Sequence, residues 1–346
     1  MTSFSSEPAH PAGSWLRVVA MGGGTGLSTL LRGLRRHVAV AGQPPSASAM
    51  IADLAAVVTV TDDGGSSGRL REDFNMLPPG DLRNCMVALS EEEDLLSRLF
   101  SHRFRQGGEL RGHSLGNLFV AALTEITGDF ALAIQLSSKI LATRGRIYPA
   151  TTANTTLVAE MDDGSLVRGE TSISASKRRI AALMLDPPCP APLPDTLEAI
   201  ERAHLISIGP GSLYTSLITN LLVDGIAEAL IHARGLRVYV CNLMTQANES
   251  LGLSAADHIE RIYKHTGAPV FDCALVNTAP FRPQTLASYA AEGAAPIEAD
   301  IERIEALGVK VIAGNFASEE AVVRHNSVHV TDTLLELAMQ RGPHAS

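Results

Sequence analysis

Leu16-Arg17-Val18-Val19-Ala20-Met21-Gly22-Gly23-Gly24-Thr25-Gly26-Leu27-Ser28-Thr29-Leu30-Leu31-Arg32-Gly33-Leu34 is the stretch that decides the fold. Leu16 to Met21 is a short apolar strand of the buried kind, and a glycine run follows it at once. From Leu27 to Arg36 the apolar residues recur at helical spacing. Strand, glycine turn, helix is the opening of a βαβ unit, from which parallel sheets are built.

The same grammar recurs. Ala55 to Val60 is a second strand of this type, closed by Thr61-Asp62-Asp63-Gly64-Gly65-Ser66-Ser67-Gly68. Gly80 to Leu141 reads as mostly helical. In its clearest helix, starting at Ser114, residues Leu115, Leu118, Phe119, Ala122, Leu123 and Ile126 form one apolar stripe that predicts the core-facing side. Thr155–Met161 and Leu166–Thr171 flank Asp162-Asp163-Gly164-Ser165 as a hairpin. Further strands are predicted at Leu205–Ile208, Arg237–Cys241, Val270–Val276 and Val309–Ala313, with helices between. The five prolines of Asp186–Asp195 mark a loop, since the α/β grammar resumes after it. No repeat of fixed period is present. The expectation is one α/β domain over residues 15–340, with a doubly wound, mostly parallel sheet, helices on both faces and a helical insertion. Residues 1–14 are expected to be a disordered tail, and Ala41 to Ala52 a surface loop.

Composition narrows the function. The 346 residues carry 28 Lys and Arg against 37 Asp and Glu, a net charge of -9. Such a chain repels nucleic acid and anionic membrane surfaces at long range, so neither is an expected partner. Aromatic residues make up only 4%, too few for a base-stacking platform. Cys85, Cys189, Cys241 and Cys273 form no CxxC pair and read as free thiols of a reducing, cytoplasmic compartment. The first fourteen residues lack the basic start and apolar stretch of a signal peptide. No run approaches the ~18 apolar residues of a membrane span.

The chemistry is expected where strands end, because open α/β sheets bind ligands beyond the carboxyl ends of their strands. Gly22, Gly23, Gly24, Thr25 and Gly26 let backbone N–H groups approach a phosphate at the positive end of the next helix. The run is neither a Walker A loop nor a dinucleotide fingerprint, so NAD is not expected. Gly209-Pro210-Gly211-Ser212-Leu213-Tyr214-Thr215 is a second turn of the kind, with Ser212 as N-cap and the amides behind it, including those of Tyr214 and Thr215, free for another oxyanion. Asp62 and Asp63 suit Mg²⁺ ligation, sugar hydroxyls or general-base work, or else an ordinary turn cap. Beside a phosphate they require a bridging cation or a hydroxyl partner. Gly64, Ser66, Ser67 and Arg69 follow them. Asp81 is expected to cap the helix carrying Asn84. His113 and Asn117 lie one turn apart, opposite the apolar stripe, and Asn242, Met244 and Thr245 close another strand. No HExxH or G-x-S-x-G motif is present.

Together, GGGTGLSTLLRGL (Gly22 to Leu34), VTVTDDGGSSGRLR (Val58 to Arg71), GDLRNCMVAL (Gly80 to Leu89), GHSLGNL (Gly112 to Leu118), IGPGSLYTS (Ile208 to Ser216) and VYVCNLMTQ (Val238 to Gln246) resemble the YvcK-type gluconeogenesis factors of the CofD-like superfamily. The resemblance spans Leu16 to Val330. It implies a Rossmann-like fold and a cytoplasmic regulator needed for gluconeogenic growth, cell shape and cell-wall precursor supply. It also implies binding of UDP-N-acetylglucosamine or a similar UDP-sugar, a regulatory protein partner in cell-wall precursor synthesis, and no required cofactor; a homo-oligomer is compatible with it. Tyr289 and Arg324 match positions tied to the UDP-sugar, a ring able to stack and a guanidinium able to pair with diphosphate. The superfamily also holds Mg²⁺-dependent 2-phospho-L-lactate transferases acting on a deazaflavin. These usually carry Lys or Arg where Thr29 stands and lack the Asp-Gly-Gly-Ser-Ser-Gly-Arg-Leu-Arg run. A transferase of this kind is the alternative reading.

Overall fold

The computed structural model describes residues 16–341 apart from 40–49, 91–94, 248 and 321. The expected tail at 1–14 and most of the loop at 41–52 lie outside the described residues. The strands in chain order are β1 (Leu16–Gly22), β2 (Ile51–Val58), β3 (Arg146–Pro149), β4 (Thr156–Met161), β5 (Leu166–Arg168), β6 (Ile180–Asp186), β7 (Leu205–Ile208), β8 (Leu236–Val240), β9 (Cys273–Asn277), β10 (Lys310–Gly314), β11 (Ala317–Glu319) and β12 (Val323–His325). Seven of them form one sheet in the order β10-β9-β8-β7-β1-β2-β3, with every neighbouring pair parallel.

The apolar run of β1 explains its central place. Leu16, Val18 and Ala20 point into one core, and Val19 and Met21 into a second core on the other face. A strand buried on both sides needs helices above and below it, which is the doubly wound arrangement. The chain leaves β1 through β2 to β3, then returns to the far side of β1 as β7 and continues to β10. Connections therefore depart in opposite directions from β1 and β7, and a crevice opens where their carboxyl ends meet. At the far end of the sheet, Asp272 ties β8 to β9 through a pair with Arg237 at 2.8 Å, joined by Arg341. Burial works to raise the Asp272 carboxyl, but the hydrogen bonds from these arginines outweigh it and hold it at about 2.

The helices that position the site are α1 (Gly24–Leu34), α2 (Gly65–Phe74), α3 (Gly80–Leu89), α4 (Leu95–Ser101), α5 (Leu115–Thr127), α6 (Phe130–Ile140) and α7 (Glu170–Ala175). The expected insertion is α2 to α6, between β2 and β3. Some expectations need correction. The hairpin is part of a three-stranded antiparallel sheet, β5-β4-β6, and its second strand stops at Arg168 because α7 begins at Glu170. Strand β3 and the β11–β12 hairpin were not anticipated.

Helix α5 keeps only part of its expected stripe: Leu118 and Phe119 pack half-buried against the core, but the helix is rotated from its pattern. It buries Gly116, Asn117, Val120 and Ala121, while Ile126 of the supposed core stripe is 79% exposed. The reason is that the buried amide of Asn117 is satisfied. Its Oδ1 accepts from Arg83 Nε at 3.2 Å and its Nδ2 donates to Ser66 Oγ at 3.2 Å. A polar group with partners is no longer costly to bury. Among the described residues no single helix is long and apolar enough to cross a membrane.

Candidate functional site

The first turn runs out of β1 and into α1 sooner than its sequence suggests, with the helix beginning at Gly24 rather than Leu27. Gly24 takes a φ of 61°, a left-handed value that suits glycine. The second turn leaves β7 at Gly209. The two turns touch: a Cβ on Gly26 would lie 2.5 Å from the carbonyl oxygen of Pro210. Gly24 and Gly211 accordingly line one cleft of about 470 Å³, together with Gly23, Thr25, Gly26 and Ser212. Asn242, Met244, Thr245 and Tyr289 close its other side. The Tyr289 hydroxyl accepts from the backbone N–H of Val323 at 3.0 Å, which fixes its ring beside the opening.

Amides in both nests expected to hold ligand oxyanions serve carboxylates of the protein itself. The Gly24 N–H donates to Asp81 Oδ2 at 2.7 Å. The N–H groups of Tyr214 and Thr215 donate to Glu249 Oε1 at 2.8 and 3.0 Å. Asp81 is therefore not the cap of its own helix. Pro79 occupies the N-cap position of α3, and Asp81, one residue into the first turn, reaches across to α1. Ser212 does stand at the N-cap of the following helical turn, but its side chain makes no capping bond. Instead it accepts from Gln246 Nε2 at 3.0 Å and hydrogen-bonds the Glu249 carboxylate.

Asp62 and Asp63 part company. Asp62 lines the cleft and accepts from the Gly64 N–H at 2.9 Å, an Asx turn. Asp63 turns away and accepts from Thr171 N at 2.8 Å and Thr171 Oγ1 at 2.6 Å, fastening the start of α7. The expected metal pair is thus divided, and among the described residues no group of three or more His, Cys, Asp or Glu is placed to hold a metal ion.

Other expected residues sit behind the cleft rather than in its lining. Ser66 Oγ is 3.1 Å from His113 Nδ1 and bonded to Asn117, and all three are buried. This network pins the loop after Asp63 to the start of α5. Ser67 is buried beside it. Arg69 donates to the carbonyls of Glu109 and Arg111 at 3.2 and 2.8 Å. Asn84 hydrogen-bonds Asp81. Gly22, Gly64 and Gly209 shape the turns without lining the cleft, and Tyr214 and Thr215 are buried in the helical turn. Arg324 is exposed and lines a neighbouring groove.

Glu170, His325 and Gln246 line the cleft without having been anticipated. Glu170 was hidden in a segment whose β-branched residues, Val167, Thr171 and Ile173, read in part as strand. His325 was hidden in the short β12, where its Nε2 meets the Cys241 carbonyl at 3.0 Å and burial pushes its pKa down to about 4. It is a neutral donor at pH 7.

The cleft is acidic, and among the described residues no Lys or Arg lines it. Burial drives the Asp81 carboxyl up to about 6, against the stabilising Gly24 N–H and with help from the Asp62 charge. Burial drives Glu170 up to about 8, and the charges of Asp62, Asp81, Asp63 and Glu249 add to it. The folded chain therefore holds the Glu170 proton to a higher pH than the unfolded chain does. The sign follows: stability contributed by this group is full below about 4.5 and declines as pH rises toward 8. Glu170→Gln, which keeps the shape and removes the charge, is expected to raise the melting temperature at pH 8.5 and flatten the decline between pH 5 and 8. A variant melting below wild type across that range would refute the assignment.

Comparison with known proteins gives a consistent result. The family described as 2-phospho-L-lactate transferase CofD matches residues 18–317. A "Gluconeogenesis factor" of Halalkalibacterium halodurans is 48% identical over 320 residues, covering 92% of this chain and 95% of that protein. The "Gluconeogenesis factor" of Bacillus subtilis is 45% identical over 322 residues, covering 93% and 98%. A crystal structure of a Bacillus halodurans member of the UPF0052 family superposes with a TM-score of 0.86 at 46% identity, covering 93% of this chain and 99% of that one.

Proposed function

Because this chain belongs to the CofD family, among its gluconeogenesis factors, we propose that it is a cytoplasmic regulator that binds a UDP-sugar such as UDP-N-acetylglucosamine. In this reading it governs gluconeogenic growth, cell shape and cell-wall precursor supply through a protein partner. The observation that carries the reading is the meeting of the β1 and β7 glycine turns in one cleft at the switch point of the sheet, with Tyr289 at its edge. Nucleotides bind at such switch points, where backbone can approach the ligand closely. An oriented aromatic ring beside that opening offers a stacking face to a base or sugar. The carboxylates of Asp62 and Asp81 are acceptors matched to sugar hydroxyls. The reading requires no cofactor.

The test is binding without turnover. UDP-N-acetylglucosamine at about a hundred times its Kd is expected to stabilise the protein by about 2.7 kcal/mol. Calorimetry should report one site per chain, the nucleotide should be recovered intact after overnight incubation, and NAD should leave the melting temperature unchanged. A folded protein giving no heat with any UDP-sugar would end this reading.

A second reading, a Mg²⁺-dependent transferase of a phosphate-linked group to a deazaflavin, is favoured by the family's description and by Asp62 in the cleft. It predicts product from a deazaflavin acceptor in the presence of donor and Mg²⁺, abolished in Asp62→Asn. Absence of product at saturating donor and Mg²⁺ rejects it for that acceptor.

A further inference from the structure

The cleft poses an electrostatic difficulty for any diphosphate. Asp62, Asp81 and Glu170 line it, among the described residues no Lys or Arg does, and the amides of Gly24, Tyr214 and Thr215 already serve carboxylates. Phosphate oxygens placed there would face the Asp62 and Asp81 carboxylates with no cation among the described lining residues to offset them.

The complement lies next door. A groove of about 510 Å³ between α1 and the β11–β12 hairpin shares His325 with the cleft, so the two are adjoining chambers. Arg32 of α1 and Arg324 of β12 both line it. Among the described residues neither guanidinium has a hydrogen-bond or ion-pair partner, whereas Arg237 and Arg303 are fully engaged in pairs. Glu320 lines the same groove, leaving it net positive. Planar guanidinium forks match phosphate oxygens in pairs, which makes two unengaged arginines in one groove a diphosphate seat. The hydroxyl-rich end of a sugar nucleotide has the opposite requirement, donors seeking acceptors, and the acidic cleft supplies those.

We propose that the ligand binds with its diphosphate in the groove, held by Arg32 and Arg324, and with its sugar in the acidic cleft against Asp62 and Asp81. This rests on the UDP-sugar reading above and adds Arg32 as a binding residue and a direction for the ligand. The glycine turns then shape the passage between the chambers instead of wrapping the phosphates.

Calorimetry with UDP, UDP-N-acetylglucosamine, uridine and inorganic pyrophosphate on wild type, Arg32→Ala and Asp62→Asn tests it. Arg32 is exposed, so its variant should fold as wild type does. Arg32→Ala is expected to weaken UDP, UDP-N-acetylglucosamine and pyrophosphate at least tenfold each, to leave uridine unchanged, and to flatten the salt dependence of UDP binding. Asp62→Asn is expected to reduce the preference for UDP-N-acetylglucosamine over UDP while leaving UDP within about twofold of wild type. UDP binding at wild-type strength in Arg32→Ala overturns the proposal while leaving the UDP-sugar reading intact. If wild type binds pyrophosphate but no UDP-sugar, the UDP-sugar reading fails alone, and loss of pyrophosphate in Arg32→Ala upholds the groove. Wild type that binds neither overturns both.

Discussion

Gly26→Ala is expected to lower stability by about 1–3 kcal/mol and to weaken ligand binding by more than a hundredfold. The new methyl carbon would stand 2.5 Å from the carbonyl oxygen of Pro210, 2.9 Å from its carbon and 3.2 Å from the nitrogen of Gly211. All three are backbone atoms of the opposite turn. No rotamer change can relieve the contact, so the β7 turn must move away from the β1 turn, and the cleft between them changes shape. Gly24→Ala provides the contrast. Nothing lies within 4 Å of its would-be Cβ, but its φ of 61° places an alanine in left-handed geometry, at about 1–2 kcal/mol. Urea unfolding and a UDP-sugar titration on both variants separate crowding from backbone strain. If Gly26→Ala bound the ligand as wild type does, the two turns would not be acting as one structure.

The second large effect is expected at Glu249. Its carboxylate is buried and accepts from two backbone amides and the Ser212 hydroxyl. Burial raises its pKa, and these three hydrogen bonds pull it back down. Glu249→Ala strips the acceptor and leaves two N–H groups buried and unmet, at about 1–3 kcal/mol each. The expected loss is therefore about 2–6 kcal/mol, most of it recovered in Glu249→Gln, whose amide oxygen still accepts. A loss no larger than that of an ordinary surface change, within about 0.5 kcal/mol, would show that water or another group replaces the carboxylate.

The fold was legible in the sequence wherever burial on both faces wrote a continuous apolar run. Leu16–Met21, Leu205–Ile208 and Arg237–Cys241 fall on central strands within a residue or so. The edge strand β10 and the β4–β5 hairpin were also legible, but β3, β11 and β12 were not. Strand β3 spends Arg146 on a pair with Asp53, and β12 carries Arg324 and His325, so neither has the composition of a buried run. Helix α5 misled because apolar periodicity assumes that polar residues face water. Here Asn117 is turned inward by partners on α2 and α3, and those partners lie 51 and 34 residues away along the chain.

The site divides in the same way. The glycine turns and Asp62 could be read because each closes a recognisable strand. That Asp81 and Glu249 would take amides of the nests could not be read, since Gly24 and Asp81 are separated by 57 residues and Tyr214 and Glu249 by 35. Local pattern identifies groups that want a partner, while only the assembled sheet decides which partner arrives.

The first strand of the described chain lies inside the finished sheet, between β7 and β2. β1 receives β2 early, but its other neighbour, β7, is encoded roughly 180 residues later. At about 5–20 residues per second of synthesis, an unpaired apolar edge stays open for roughly 10–40 s. A nascent half-sheet of β1, β2 and β3 is thus a natural client for a holding chaperone until translation delivers Leu205–Ile208. Slow codons placed before that point would lengthen the exposure and lower the yield of soluble protein, with no change to any contact of the native state.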